Sequence, residues 1–403
     1  MKFFQKDELK LLWPFYFSKF AFIIFNILIP FEALYFLDLG FSLFQVGIIT
    51  ASLALAAFLF EIPTGAVADL YGRKASSLIG YFLSAIVAFS IFFARGFYLI
   101  ITLYFLLGFA KTFISGAEQA WIVDKLHQNK KKNLIHDYFA KSHSFFSAGF
   151  LISGVVGSIL VGIFGLSVIW PMLSLHFLMT GILLSFVKEE HKKANPEIRG
   201  HYQKFIKQTK ESISYSFSHY NLRLFMFGLV FIALAVMLLS GLTWYPFMES
   251  AGLNKKYLGY LFSITWAIAM VIPHFTKKIV KFFGGYKRYL VATWIAIFLT
   301  TILVLFFNNL IALIVVYVIS SSMWDFHHIG KNPFFQQFIP SSMRATIKSL
   351  EMQIIALVSI FGRILAGFLA DTIGLRYTLG IGAFLVIPLI IIYSKMKEIV
   401  KIK

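Results

Sequence analysis

The sequence predicts an all-α membrane protein in which twelve transmembrane helices form two pseudo-symmetric six-helix bundles. Hydrophobic residues make up 59% of its 403 positions and charged residues only 14%, and the mean hydropathy is +0.79. Soluble domains are about 45–50% apolar and about 25% charged, so the excess apolar surface must face lipid. A disordered chain and an ordinary soluble enzyme are therefore excluded. Because the chain has no cysteine, disulfides and Cys-ligated zinc or iron–sulfur sites are excluded as well.

Six apolar segments in each half of the chain approach the length of about 20 residues that a helix needs to cross a bilayer. In the first half, the predicted helices cover 12–37, 42–68, 75–94, 98–123, 143–165 and 167–187. In the second half, they cover 223–248, 256–276, 288–307, 309–330, 344–370 and 376–394. The polar stretch between the halves is predicted to be a cytoplasmic linker that is partly an amphipathic helix. The predicted organisation is an N-terminal bundle at 1–187, a linker at 188–222 and a C-terminal bundle at 223–403.

A weak internal repeat supports the pseudo-symmetry of the two halves. The Ile-Pro pair at 62–63 in the second predicted helix has a counterpart at 272–273 in the eighth, and the stretch at 163–166 resembles the one at 372–375. A duplicated six-helix unit is the organisation of many secondary transporters.

Positive charge is distributed unevenly along the chain, which carries a formal net charge of +19. If the N-terminus lies in the cytoplasm, most of the Lys and Arg residues fall on or near the inner side. The predicted outer loops receive only Arg95, Lys255, Lys256 and Arg376. The positive-inside rule then predicts a multi-pass protein of the inner membrane with both termini in the cytoplasm. The basic excess reflects topology and lipid contact, and no nucleic-acid partner is expected.

The most specific motif is at the inner end of the second predicted helix and in the short loop that follows it. A G-x-x-x-D-x-x-G-R-K pattern is matched by Gly65, Asp69, Gly72, Arg73 and Lys74. The second glycine of the pattern permits a tight turn, the first glycine is small enough to let a neighbouring helix approach, and the Asp can pair with the Arg or cap a helix. Gly72 would supply the turn and Gly65 the close approach.

This pattern resembles the signature loop of the major facilitator superfamily. The E-x-P-T-G that begins at Glu61 resembles the motif of a bacterial branch related to drug–proton antiporters, as do the stretches at 115–124 and 339–346. The resemblance implies a carrier that works by alternating access and in which the five motif residues form a gating loop that stabilises the outward-open state. Leu70 stands where the family usually has a basic residue, and the fifth predicted helix lacks the Gly-Pro pair of the antiporters.

Ionisable residues at membrane depth are candidate functional groups, because burying one costs about 2.5–3.5 kcal/mol on insertion scales. The candidates for proton coupling are Asp325, Glu118, His328 and Glu61. A carboxylate and an imidazole one turn apart, as in Asp325 and His328, could form a proton relay. The same pair could equally be structural or close an inner gate, and Glu61 could simply anchor the interior of its bundle.

The resemblance also implies a central cavity lined by the first, fourth, seventh and tenth helices. The predicted cavity residues are Asn26, Glu32, Lys111, Trp266, Trp324 and Arg363. Lys111 and Glu118 lie seven positions apart and therefore share a helical face. Each mid-membrane tryptophan needs a partner for its indole N–H, which a cavity or a neighbouring helix could provide.

These observations lead to one preferred function and one alternative. The preferred function is proton-coupled efflux of amphipathic small molecules or drugs by a monomeric antiporter. The alternative is uptake or exchange of an organic anion, which would be favoured if Lys111 and Arg363 leave the cavity positively charged. The chain contains no P-loop, H-E-x-x-H or G-x-S-x-G motif, so neither ATP hydrolysis nor another enzymatic activity is expected. No cofactor or metal site is expected either.

Overall fold

A computed structural model describes residues 4, 5, 7–188, 210–340 and 343–397, and all regular secondary structure within these ranges is helical. The α-helices are α1 (Glu8–Phe17), α2 (Glu32–Asp38), α3 (Leu43–Tyr71), α4 (Arg73–Phe93), α5 (Phe97–Gln128), α6 (Leu134–Phe164), α7 (Ile169–Ser185), α8 (Tyr220–Leu238), α9 (Gly241–Ser250), α10 (Leu258–Phe282), α11 (Tyr286–Ile302), α12 (Leu310–Gln336), α13 (Arg344–Thr372), α14 (Leu375–Phe384) and α15 (Ile387–Lys395). The all-α fold class predicted from the sequence is confirmed.

Eleven helical segments in the described part of the chain are long and apolar enough to cross a membrane. They correspond to the second through twelfth predicted helices. Several continue beyond the apolar stretch: α6 was expected to begin at 143 but begins at Leu134. Hydropathy locates the apolar part of a helix, whereas the helix itself continues through polar residues that still form backbone hydrogen bonds.

The first predicted helix, 12–37, is wrong as a continuous helix. After α1, the chain forms one π-helical turn at Ser18–Phe22 and a 3₁₀ turn at Ile23–Phe25, and α2 begins only at Glu32. Pro30 has no N–H and disfavours helical geometry at the preceding residue, which prevents one helix from running through. We call the stretch 18–31 the broken segment. Irregular backbone at membrane depth is tolerated where protein buries it or where it lines a cavity.

The seventh and twelfth predicted helices also divide into two pieces each. Between α8 and α9, the side chain of Ser240 accepts a hydrogen bond from the backbone N–H of Leu242 and so caps the second piece. At α15, a proline occupies the first helical turn, where its missing N–H costs no intrahelical bond.

The chain divides into two compact units. The first contains the described residues of Met1–Phe41, Ile48–Ala194 and Asn254–Met270. Within it, the broken segment lies tightly against α6, because a Cβ at Gly149 would lie 1.7 Å from Ile23 Cγ2 and 3.2 Å from the Lys19 carbonyl oxygen. The backbones of α6 and α10 meet where a Cβ at Gly154 would lie 2.3 Å from the Gly259 oxygen. Glycine is thus required on α6 for close helix packing.

The second unit contains the described residues of Ser42–Gly47, Asn195–Leu253 and Val271–Lys403. Aromatic stacking stabilises its core: the rings of Phe225 and Phe335 are 3.7 Å apart. The first turn of α3 packs on α13 in this unit, where the Asp371 carboxylate accepts hydrogen bonds from the backbone N–H groups of Leu43 and Phe44. A carboxylate at this position satisfies the otherwise unbonded first donors of the helix.

Most of the predicted linker, 188–222, lies outside the described residues. Of the part that is described, 210–218 is helical, and Ser212 and Ser216 on it are fully buried. The division into bundles at 1–187 and 223–403 stays a prediction.

Candidate functional site

A cavity of about 290 Å³ lies within the first unit beside the broken segment. We call it the unit-1 pocket. Its polar lining comes from Ser18, Lys19, Asn26, Tyr81, Lys111, Ser115, His176 and Thr180. Aromatic rings supply its apolar walls, among them Phe146, Phe150 and Phe177. The π turn and the irregular backbone place Lys19 and Asn26 at the cavity, as is common where helices are interrupted at functional sites.

A buried three-residue network borders this pocket. Lys19 Nζ lies 2.8 Å from Glu118 Oε1, and the Tyr81 hydroxyl donates a hydrogen bond to Glu118 Oε2. Side-chain exposure is 31% for Lys19 but only 4% for Glu118. The ammonium group therefore contacts both the cavity and the buried carboxylate. A buried carboxylate needs such a partner, because removing one member of a buried ion pair typically costs about 3–5 kcal/mol.

The remaining charge in the pocket belongs to Lys111, two helical turns before Glu118 on α5. Lys111 is exposed, and its Nζ lies 6.0 Å from the centre of the Phe177 ring, at the outer limit of a cation–π contact. His176 Nδ1 lies 2.9 Å from the Phe22 carbonyl oxygen. Because a carbonyl only accepts, Nδ1 must carry the hydrogen and the ring is fixed against the broken segment. Two of the described lining residues are lysines, and none is acidic.

The sequence predicts Asn26, Lys111 and Glu118 as site residues, but not Lys19, Tyr81 or His176. His176 had a detectable signal, since it is the only ionisable side chain of α7. The pairing of Lys19 with Glu118 had none, because it depends on the rotation of two separate helices.

Glu61 and Glu32 accept hydrogen bonds in the same unit. The Ser115 hydroxyl, which lines the unit-1 pocket, donates to Glu61 Oε1 at 2.6 Å. The hydroxyl of the fully buried Tyr104 donates to Glu32 Oε1 at 2.7 Å. Glu61 thus reaches the pocket through Ser115, whereas Glu32 lies at the first turn of α2 and outside the described lining. Trp266 stacks on Phe150 at 5.1 Å and lies behind the apolar wall.

The predicted gating loop joins α3, α4 and α5 through Arg73. Its guanidinium lies 2.6 Å from Asp124 Oδ2, 3.7 Å from Asp69 Oδ1, and donates to the Ala120 carbonyl oxygen. Lys74 donates to the Ser185 carbonyl oxygen. Gly72 has φ of +102°, a conformation that glycine adopts without strain. The close helix approach expected at Gly65 is absent among the described residues, since an added Cβ would meet no atom within 4 Å.

The other predicted site residues belong to the second unit. Asp325 on α12 is half-buried and makes no hydrogen bond or ion pair with another described residue. His328 is exposed and Arg363 is half-buried. Trp324 packs on Trp294 at 5.3 Å. Further along α12, Lys331 forms a buried ion pair of 2.6 Å with Glu351 of α13, which the sequence analysis does not predict.

Comparisons with known proteins agree with this architecture. Residues 17–350 match the Major Facilitator Superfamily. The MFS-type transporter YxaM of Bacillus subtilis (strain 168) is 26% identical over 383 residues, which cover 92% of each chain. The crystal structure of the nucleoside transporter NupG has a TM-score of 0.73 at 16% identity and covers 98% of this chain and 100% of its own.

A second solved structure, a bacterial homologue of the human lysosomal transporter Spinster in an inward-facing, unoccupied conformation, has a TM-score of 0.71 at 13% identity. It covers 96% of this chain and 95% of its own. At these identities, the solved structures share the fold and not necessarily the substrate. The match to the family model covers most of the chain, and eleven helical segments among the described residues are long and apolar enough to cross a membrane. The chain therefore belongs to the major facilitator superfamily, whose members are membrane transporters.

Proposed function

We propose that this protein is a secondary transporter of small organic anions with an apolar part, and that the unit-1 pocket holds the anionic group. The observation that carries the proposal is the charge of the lining: Lys19 and Lys111 contribute two ammonium groups, and no described lining residue is acidic. Ammonium groups in a site of low dielectric attract an anion far more strongly than they would in water. A cationic substrate would be repelled.

The apolar walls of the pocket support an amphipathic substrate. Phe146, Phe150 and Phe177 can cover a ring or a short chain, while Asn26 and Thr180 offer hydrogen bonds. A volume of about 290 Å³ is at the small end of ligand sites, which range from about 300 to 1,000 Å³. A single-ring acid therefore suits the pocket better than a large drug.

Proton-coupled efflux of amphipathic compounds is the second candidate. Asp325 favours it, because a half-buried carboxylate without an ion pair among the described residues is the kind of group that can exchange a proton during transport. In this candidate, His328 would modulate Asp325. Glu118 would be a second proton-carrying carboxylate, and Glu61 would be the reserve.

Orientation and gating are part of the proposal. The positive-inside rule supports cytoplasmic termini in an inner membrane. The residues Gly65, Asp69, Gly72, Arg73 and Lys74 would form a gating loop, with Arg73 exchanging partners between the states of an alternating-access cycle. We take the monomer as the functional unit.

A series of ligands with the same ring and different charges tests the proposal. Benzenesulfonate is anionic, benzenesulfonamide is neutral and benzylammonium is cationic, while the ring is the same in all three. We expect only benzenesulfonate to raise the melting temperature of the purified protein, since binding to the folded state alone stabilises it. Stabilisation by benzylammonium but not by benzenesulfonate would contradict the anion proposal and favour the Asp325 candidate.

A further inference from the structure

We propose that the Lys19–Glu118–Tyr81 network couples anion binding to the uptake of one proton, so that the carrier moves the anion and a proton in the same direction. This inference rests on the proposed function of the unit-1 pocket. In this inference, the Glu118 carboxylate and the bound anion compete for the ammonium group of Lys19.

The position of Lys19 allows both Glu118 and an entering anion to contact its ammonium group. Lys19 lines the pocket and forms an ion pair of 2.8 Å with Glu118, which is almost completely buried. Glu118 itself does not belong to the described lining. An anion that enters can therefore reach the partly exposed ammonium group, whereas it cannot replace Glu118 at its buried position. Binding draws Lys19 toward the anion and weakens the ion pair.

A proton restores the balance of charge. Once Lys19 binds the anion, the neutral hydroxyl of Tyr81 is the one hydrogen-bond partner that Glu118 retains within the described part of the chain. A buried carboxylate without an ion-pair partner is unfavourable, and protonation removes its charge. The exchange reads: anion plus proton plus the Lys19–Glu118 pair gives an anion–Lys19 pair plus neutral Glu118. The Tyr81 oxygen can accept the new carboxylic O–H, because a hydroxyl both donates and accepts.

The charge count of the two lysines and Glu118 supports this exchange. Lys19, Lys111 and Glu118 together carry one positive charge, and adding one anion and one proton leaves that sum unchanged. The empty and the loaded pocket then carry the same net charge. No extra charge has to cross the low-dielectric membrane in either direction, which would otherwise be costly.

The other titratable groups around Glu118 are less suitable proton acceptors. The broken segment contributes Lys19, α5 contributes Lys111, α4 and α6 contribute Tyr81 and Tyr138, and α7 contributes His176. An ammonium group has no site for a further proton, and a neutral tyrosine hydroxyl is a very weak base. His176 is the real competitor. A proton on it would place a third positive charge near two ammonium groups, whereas a proton on Glu118 removes an unpaired negative charge.

Proton counting during binding tests the inference. Calorimetric titration with benzenesulfonate in buffers of different ionisation enthalpy, at one pH, gives the number of protons taken up per bound probe. We expect one proton for the wild type and none for Glu118→Gln. The glutamine keeps hydrogen-bonding groups for Lys19 and Tyr81, so this variant is expected to fold and to bind the probe.

Two variants serve as controls for this experiment. Glu351→Gln removes a carboxylate from the other buried lysine pair, at Lys331, and should leave proton uptake unchanged. His176→Gln changes a residue of the pocket lining, so affinity for the probe can fall, but the number of protons taken up per bound probe should stay at one. In pyranine-loaded proteoliposomes, inward movement of benzenesulfonate should acidify the lumen for the wild type but not for Glu118→Gln.

The outcomes separate the two proposals. Binding by the wild type without proton uptake would contradict the coupling but leave the anion site intact. Proton uptake that persists in Glu118→Gln and disappears in His176→Gln would move the proton site to His176 and overturn the assignment. Absence of any benzenesulfonate binding to the wild type would overturn the proposed function and the coupling together.

Discussion

At the residue scale, two lysines give the unit-1 pocket its charge, and they differ in their neighbours. Lys19 is tied to a buried carboxylate, whereas Lys111 is exposed at the cavity. The proposed anion site should therefore depend on Lys111 for attraction and on Lys19 for coupling. The two roles can be separated by experiment.

We expect Lys111→Gln to weaken benzenesulfonate binding about tenfold or more, which corresponds to at least about 1.4 kcal/mol, because the substitution removes a full charge and keeps a chain of similar length. Titration calorimetry measures this. Lys255→Gln is the matched control, since Lys255 pairs with Asp38 and does not belong to the described lining. Equal affinity of wild type and Lys111→Gln would remove Lys111 from the site.

The two carboxylates near Arg73 should contribute differently to the stability of the protein. Asp124 lies 2.6 Å from the guanidinium and is largely shielded, whereas Asp69 lies 3.7 Å away with 73% of its side chain exposed. We expect Asp124→Asn to lower the melting temperature, because it removes a close, shielded partner. Asp69→Asn should leave the melting temperature nearly unchanged, since exposed ion pairs contribute little.

The Asp69→Asn variant should nevertheless slow transport, if the gating-loop proposal is right. A residue that stabilises one conformational state changes the interconversion of states more than it changes the binding site. Turnover in proteoliposomes is the measurement, with probe affinity as its control. Unchanged turnover would remove Asp69 from the gating mechanism.

At the element scale, the broken segment is the feature that places Lys19 and Asn26 at the pocket. Hydropathy cannot distinguish a broken helix from a continuous one, because the same apolar side chains suit both in a membrane. Pro30 and Asn26 were the local signals for a break. These two residues alone do not predict the break, because the conformation of the segment also depends on its close packing against Gly149 of α6. No single-sequence pattern reveals that packing.

Gly149→Ala tests this packing. The new Cβ would lie 1.7 Å from Ile23 Cγ2 and 3.0 Å from the Phe20 carbonyl oxygen, so the broken segment must move. We expect a loss of about 1–3 kcal/mol, as is usual for overpacking, visible as a lower melting temperature together with weaker benzenesulfonate binding. Gly116→Ala on α5 is the matched control, because a Cβ there meets no atom within 4 Å. Equal effects of both substitutions would contradict the packing argument.

At the scale of the whole molecule, composition was sufficient to predict the class of protein. An apolar fraction of 59% with 14% charge leaves few alternatives to a multi-helix membrane protein, and the motif from Gly65 to Lys74 indicated the family. The substrate site was less accessible to sequence reasoning. Lys111, Glu118 and Asn26 could be selected as polar residues in apolar segments, but which of them share a cavity depends on helix rotation and on packing.

The topology can be tested directly because the chain has no native cysteine. Single-cysteine variants at Lys130 and Lys255 lie in predicted inner and outer loops, respectively. A membrane-impermeant maleimide applied to intact cells should label Lys255→Cys and should label Lys130→Cys only after the cells are permeabilised. Labelling of both from the same side would contradict the proposed orientation.

The central claim is that this carrier moves small organic anions through the unit-1 pocket, and counterflow in proteoliposomes tests it most directly. Vesicles loaded with unlabelled benzenesulfonate should transiently accumulate labelled benzenesulfonate when they contain the wild-type protein. Vesicles with Lys111→Gln should accumulate far less, and preloading with benzylammonium should have no effect. Accumulation driven by benzylammonium, with none driven by benzenesulfonate, would contradict anion transport through this pocket.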